Sequence, residues 1–219
     1  MQEYVLNEKT NKVNLEYKMV YNSYSNISKL VFDTKINTKE VVELFAKRDR
    51  KALYNYLVNN YKKLTKFSVK QLHFHLPNND SFLRMHRPQK YGDNLSKDRL
   101  TVKYVNENKK YIDGFEEGKI FNGFRFVYPM FEDNKHIGSV EISFSALFFV
   151  QEIVKGYDVH VDFFIDKNVV AEKVFKDELS NYIQSPLKGY LFEKSVKNYA
   201  DEVDFNANSL KKHQTKILN

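Results

Sequence analysis

Apolar side chains recur along the first 36 residues at Leu6, Val13, Tyr17, Val20, Tyr24, Ile27 and Val31. The spacing alternates between three and four after an opening seven, which is a heptad seam. It predicts one long helix packed lengthwise on another element. That element is either the chain's own domain or a second copy of the helix, and the two flanks of a helix allow both. Asn37 with Glu40 three residues later has the form of a capping box and predicts a new helix start. The second helix should run to about Leu64, with Val41, Leu44, Phe45, Leu53, Tyr56, Leu57 and Tyr61 on its apolar side. Asp49 is placed to re-cap it midway.

At Ser68 the period changes to two. Val69, Gln71, His73 and His75 then share one face, and Leu72 and Phe74 the other. Residues 76–80 are a turn by composition. Ser81–Arg87 predicts a second strand, with Phe82, Arg84 and His86 opposite Leu83 and Met85. The polar stretch from Pro88 to Gly118 predicts a crossover holding one short helix, over about 95–106. Gly123–Phe131 and His136–Phe144 predict two strands around a turn at Asp133-Asn134-Lys135, and 145–155 a short helix. Hairpin, crossover, hairpin is the order of a PAS-like sheet. Antiparallel strands with helices beside them make the class α+β.

A further unit opens at Tyr157. Its pattern predicts a strand over 159–165, a short helix over 167–176, a loop over 182–192 and a polar helix over 193–216. With no strand expected after Phe192, this module reads as incomplete, as in a trimmed chain. The expected organisation is a long helix over 1–36, a main module over 37–156, and the start of another over 157–219.

Of the 219 residues, 42% are hydrophobic, enough for a packed core. No run approaches the ~20 apolar residues of a membrane span, and the polar start MQEYVLNEKTNK lacks the form of a signal peptide. Cysteine is absent, which removes thiol nucleophiles, disulfides and Cys-ligated metals but leaves the compartment open. The net charge is +7, and residues 37–70, with 9 basic and 3 acidic side chains, supply nearly all of it. A solvated helix face accounts for that excess, so no nucleic-acid partner is expected.

Arg84 and Arg125 each interrupt a strand that otherwise reads as core-forming. A charge there is costly unless paired or facing water. Two explanations stand. Either arginine pairs with Glu141, also mid-strand, as a structural ion pair. Alternatively, a guanidinium faces a pocket and grips a ligand carboxylate or phosphate through its planar fork. His86 and the aromatic residues Phe82, Phe126 and Tyr128 suit such a pocket. His73, His75 and His86 also cluster, and His-x-His on a strand is a zinc spacing. Glu141 or an Asp could complete such a site, or the histidines line a polar pocket; no HExxH and no third ligand at a telling spacing accompany them, so no metal or other cofactor is expected. GxSxG, GxxxxGK[ST] and GxGxxG are all missing, and Glu116-Glu117 reads as a solvated pair. No catalytic residues are expected, and the domain reads as a non-enzyme.

The stretches QLHFHLPNNDSFLRMHRPQKYGDNLS and GFEEGKIFNGFRFVYPMFEDNKHIGSVEISFSA resemble the extracytoplasmic double Cache sensor domains of bacterial transmembrane receptors. Such domains occur in sensor histidine kinases, chemoreceptors and diguanylate cyclases. The preceding helix and VDFFIDKNVV…YIQSPLKGY are also similar to that family, the latter to the opening of its membrane-proximal module. The resemblance implies a long helix rising from a first membrane span, a distal ligand-binding module, and a proximal module leading back to a second span. It implies a periplasmic location, homodimers through the long helix, and a helix shift that reaches a cytoplasmic output module. This chain lacks both spans.

The expected function is small-molecule sensing, with a carboxylate or other anion as ligand. Arg84 is the expected anion anchor and His86 its neighbour. His73, His75, Tyr91, Arg125, Phe126 and Tyr128 are the other expected contacts, and Glu141 is the internal ion-pair partner. Two alternatives remain: a ligand-free dimeric interaction module, and a metal-dependent enzyme using His73, His75 and His86.

Overall fold

The computed structural model describes residues 2–120, 122–156 and 161–200. The chain divides into two units: Tyr21–Glu116 with Asn122–Ser145, and Met1–Val20 with Glu117–Phe121 and Ala146–Asn219. Helix α1 (Gln2–Val31) is prolonged by one π-helical turn, Phe32–Ile36.

In the sheet-bearing unit, the second half of the α1 seam packs on the chain's own strands. Tyr24 and Val31 are buried, and Tyr24 stacks on Phe144 with ring centroids 4.5 Å apart. Tyr21 meets Phe124 and Phe126, and Phe32 lies flat on Tyr128 at 4.3 Å. The Leu6 side chain is outside the described residues. Helix α2 (Lys39–Ala46) is capped by Thr38, whose Oγ1 accepts from the Val41 N–H at 3.5 Å. The expected cap, Asn37, closes the π-helical turn instead, its N–H donating to the Phe32 carbonyl at 2.7 Å. Asp49 does start a separate helix α3 (Arg50–Leu64), accepting from the Ala52 N–H at 3.0 Å.

Strands β1 (Val69–His75), β2 (Ser81–Arg84), β3 (Ile112–Glu116), β4 (Gly123–Glu132) and β5 (Lys135–Phe144) form one antiparallel sheet in the order β2-β1-β5-β4-β3. Two hairpins thus meet along β1 and β5. The β4–β5 turn places Asp133 and Asn134 at φ 46° and 65°, the left-handed pair that matches the twist of a two-residue hairpin.

Three expectations fail here. The second strand stops at Arg84, and Met85 and His86 lie in a turn. The crossover helix, α4, spans Leu100–Asn108. The residues before it are tied to the first hairpin: Ser81 N–H donates to the Asp93 carbonyl and Leu95 N–H to that of Asn79. Edge strand β3 lies where the sequence predicts loop, because Asp113 and Gly114 break its apolar alternation.

The other unit carries α5 (Ala146–Gly156), β6 (Phe164–Asp166), α6 (Lys167–Lys173), β7 (Tyr182–Gln184), β8 (Tyr190–Glu193) and α7 (Lys194–Ala200). Its strands order β6-β8-β7 over a small core of Ile165, Val170, Val174 and Tyr182. The expected loop over 182–192 therefore holds two strands, each too short to show alternation. Residues 159–160 of the expected strand and 201–216 of the expected last helix are outside the described residues, and the described part of that strand pairs only from Phe164. No helix among the described residues is long and apolar enough to cross a membrane.

Candidate functional site: a buried polar sheet face

Register sorts the strand residues into two faces. Leu72, Phe74, Phe126, Tyr128, Val140 and Ile142 face the helix side, where Phe74 meets Phe45 of α2. The alternate positions are Gln71, His73 and His75 on β1, Ser139, Glu141 and Ser143 on β5, Arg125 on β4 and Arg84 on β2. None of these eight polar residues is more than 4% exposed. A half-buried antiparallel sheet would turn such residues to water. Here the crossover segment and α4 lie over them.

At the centre, Glu141 is fully buried and bonded to two guanidiniums. Arg125 donates to its Oε1 at 2.5 Å, and Arg99, just ahead of α4, donates to its Oε2. Arg99 Nε also donates to Glu116 at 2.8 Å, and Arg125 reaches the Glu116 carbonyl and the Gln71 side chain. Glu116 accepts from the Thr101 hydroxyl at 2.7 Å and from its N–H at 3.1 Å. That carboxylate serves as the cap α4 does not supply for itself. Burial opposes ionisation of both acids, but the guanidiniums outweigh it. Arg125 and Arg99 hold Glu141 well below the usual carboxylate range, and Arg99 and Arg125 likewise lower Glu116. For Arg99, burial is overcome by Glu141 and Glu116, which raise its pKa.

Beside this network sit the imidazoles. His73 Nε2 bonds Ser81 Oγ at 2.8 Å, and His75 Nδ1 bonds Ser139 Oγ at 3.1 Å. The two rings lie 4.1 Å apart. Burial, then the neighbouring His75 and arginines, pushes His73 well below its ordinary value. Burial pushes His75 and His86 down to about 3, Glu141 opposing in both cases. All three are neutral at physiological pH. His75 Nε2 has no hydrogen-bond partner among the described residues.

The structure gathers His73, His75, His86, Arg84, Arg125 and Glu141 on one side of the sheet, but it changes their roles. Both terminal nitrogens of Arg84 are engaged by Asp93, at 2.7 and 3.0 Å, and one also donates to the Lys90 carbonyl. Arg84 therefore clamps the crossover to β2 rather than offering an open fork. Phe126 and Tyr128 leave the site: they point to α1, and Tyr128 hydroxyl bonds Ser28 at 2.9 Å. Phe82 leaves it too, packing on Phe45, because the β1–β2 register slips between Phe74 and His75. Tyr91 is 54% exposed under the Arg50 guanidinium, 3.6 Å from its ring. Three members escaped the sequence reading. Arg99 lies in a polar crossover where nothing in the spacing marks it, and Glu116, half of a pair that the sequence presents as solvated, is buried against Arg99. Asp93 stands in a turn-like Tyr-Gly-Asp.

The family described as a double sensory domain of two-component sensor kinases matches residues 17–191. No curated protein matches the sequence. Among solved structures, the sensor domain of the Vibrio cholerae histidine kinase DctB aligns with TM-score 0.55 at 13% identity, over 75% of this chain and 64% of that one. A domain of a putative sensory box/GGDEF protein from Vibrio parahaemolyticus aligns with TM-score 0.51 at 15% identity, over 73% and 66%. The Campylobacter jejuni chemoreceptor Tlp3 sensory domain with isoleucine bound covers 98% of this chain and 80% of its own, at 12% identity and TM-score 0.45. The chain thus spans about two thirds of the length of the first two.

Proposed function

Because the chain belongs to the double sensory domain family of two-component sensor kinases, we propose that it senses a small molecule on the buried polar face of its five-stranded sheet. One observation carries the reading. The central strands bury uncharged imidazoles, hydroxyls and a salt-linked carboxylate beneath the crossover, where apolar side chains would give a cheaper core. Charge balance selects the ligand. Arg84, Arg99 and Arg125 are matched by Asp93, Glu116 and Glu141, so no net positive charge waits for a free anion. A neutral or zwitterionic molecule that hydrogen-bonds the imidazoles fits better than the simple carboxylate expected from the arginines alone.

Occupancy would reach α1 through the pleat. Arg125 and Glu141 face the site, while their chain neighbours Phe126 and Ile142 face the helix side. A ligand that favours one strand position over another biases where α1 rests. We place the domain outside the cytoplasm, in a membrane-anchored receptor whose spans and output module lie beyond this sequence. The domain itself binds rather than converts its ligand. Homodimerisation along α1 would use the flank carrying Leu15, Met19 and Leu30, all more than half exposed, since Tyr24 and Val31 are committed to the sheet.

Calorimetric titration with the amino acids and small polar amides tests the site. One compound should bind with one-to-one stoichiometry and lose at least tenfold affinity in His75→Phe and His73→Phe. Unchanged binding in both variants overturns the assignment. The ligand-free interaction module draws support from how fully the carboxylates and guanidiniums satisfy one another. It predicts no binding by any compound in the panel.

A further inference from the structure

We propose that His73, His75 and Glu141 form a site for one divalent d-block cation of the Zn²⁺ type. His73 and His75 alternate on β1, and Glu141 stands opposite His73 on β5. A ring nitrogen of each imidazole and a carboxylate oxygen lie within 4.8 Å of one another. Two hydrogen-bonded strands hold them, so the approach of the three groups is set by backbone and not by flexible loops. The sequence leaves the third ligand open between His86, Glu141 and an Asp, and the strand register brings Glu141 to the two imidazoles.

A second observation points the same way. His75 is completely buried, its Nδ1 is held by Ser139, and its Nε2 has no hydrogen-bond partner among the described residues. An imidazole fixed through one nitrogen with the other left open is the arrangement metal-binding histidines adopt. Glu141 accepts Arg125 and Arg99, but a carboxylate offers about four lone-pair directions, so it can hold both and still bind a cation. Two imidazoles and one carboxylate suit Zn²⁺ or Co²⁺, whereas Ca²⁺ and Mg²⁺ prefer all-oxygen shells. The surrounding guanidiniums and carboxylates already cancel, so the fourth position should take hydroxide or another anion. Both readings use the imidazoles of His73 and His75, so they are told apart by readout: metal counted per chain decides this site, and calorimetry on the metal-free protein decides the small-molecule one.

The test starts from chelator-treated protein dialysed against CoCl₂ or ZnCl₂, with metal counted per chain. One equivalent of metal, with the visible absorption of four-coordinate Co²⁺, is expected. His75→Phe and Glu141→Gln should each weaken it at least tenfold, and His136→Ala should not. If the buried variants fail to fold, ¹⁵N-histidine spectra of the wild type decide: Zn²⁺ must move His73 and His75. Absence of stoichiometric metal, or shifts confined to His86, His136, His160 and His213, overturns the proposal.

Discussion

On the helix side of the five-stranded sheet, Phe74, Phe126, Ile142 and Phe144 meet α1 and α2 through rings and aliphatic chains. One residue away along the same strands, His73, Arg125, Glu141 and Ser143 are buried as deeply on the opposite side. The first face asks only for volume and shape, and tolerates apolar exchange. The second must match every charge and donor, because each ion withdrawn from water costs several kcal/mol before its partners offset it. A fold selected for stability alone gains little from the second arrangement. This contrast within one sheet is the ground on which we propose the polar face as the sensing site.

The largest expected difference between the faces is at Glu141. Glu141→Ala leaves Arg99 and Arg125 facing each other across a buried gap and should cost about 3–5 kcal/mol. Phe126→Leu on the helix side should cost less than about 1.5 kcal/mol. Denaturant midpoints of the two variants measure both, and similar losses would erase the contrast.

Acid separates the faces next. His75 titrates near 6.5 in the unfolded chain and at about 3 in the folded one. Between those values only the unfolded chain takes the proton, so stability falls as pH is lowered through the window and is unaffected above it. The slope for His75 approaches about 1.4 kcal/mol per pH unit, or about 2 kcal/mol lost by pH 5. His73 and His86 act in the same direction. His75→Phe should flatten the profile between pH 6.5 and 5, and an unchanged profile would show that His75 is not buried neutral.

Smaller effects probe the edges of each face. Asp93→Asn weakens the clamp on Arg84 and should cost about 1–2 kcal/mol, with faster amide exchange in the crossover. Tyr21→Phe removes the bond from its hydroxyl to Asp113, 2.8 Å long, and should cost about 0.5–1 kcal/mol. If the Tyr21 change altered the pH profile as well, the faces would be coupled more tightly than the pleat alone provides.

Much of this arrangement is legible in the sequence. The 3.5-residue period of α1, the Asp49 re-cap and the period-two runs around Asp133-Asn134 each report a local rule. Mid-strand Arg84, Arg125 and Glu141 announce a buried polar face, because a charge in a core pattern needs a reason. Local rules offer Glu141 as a partner for either mid-strand arginine, and Arg125 takes it, but they could not reveal Arg99 or Asp93. Arg99 reaches Glu141 across 42 residues, and Asp93 occupies the Arg84 fork only because the crossover is tied back to the first hairpin. A register slip at Phe74/His75 moved Phe82 to the helix side, and a glycine-bearing strand hid as loop.

The most direct test of the sensing site is to follow the histidine ring resonances of the wild-type chain while adding whichever small polar compound raises its melting temperature. His73 and His75 are expected to shift in step with the stabilisation while His136 stays still. A compound that stabilises the chain yet leaves His73 and His75 unmoved would place the ligand elsewhere and contradict it.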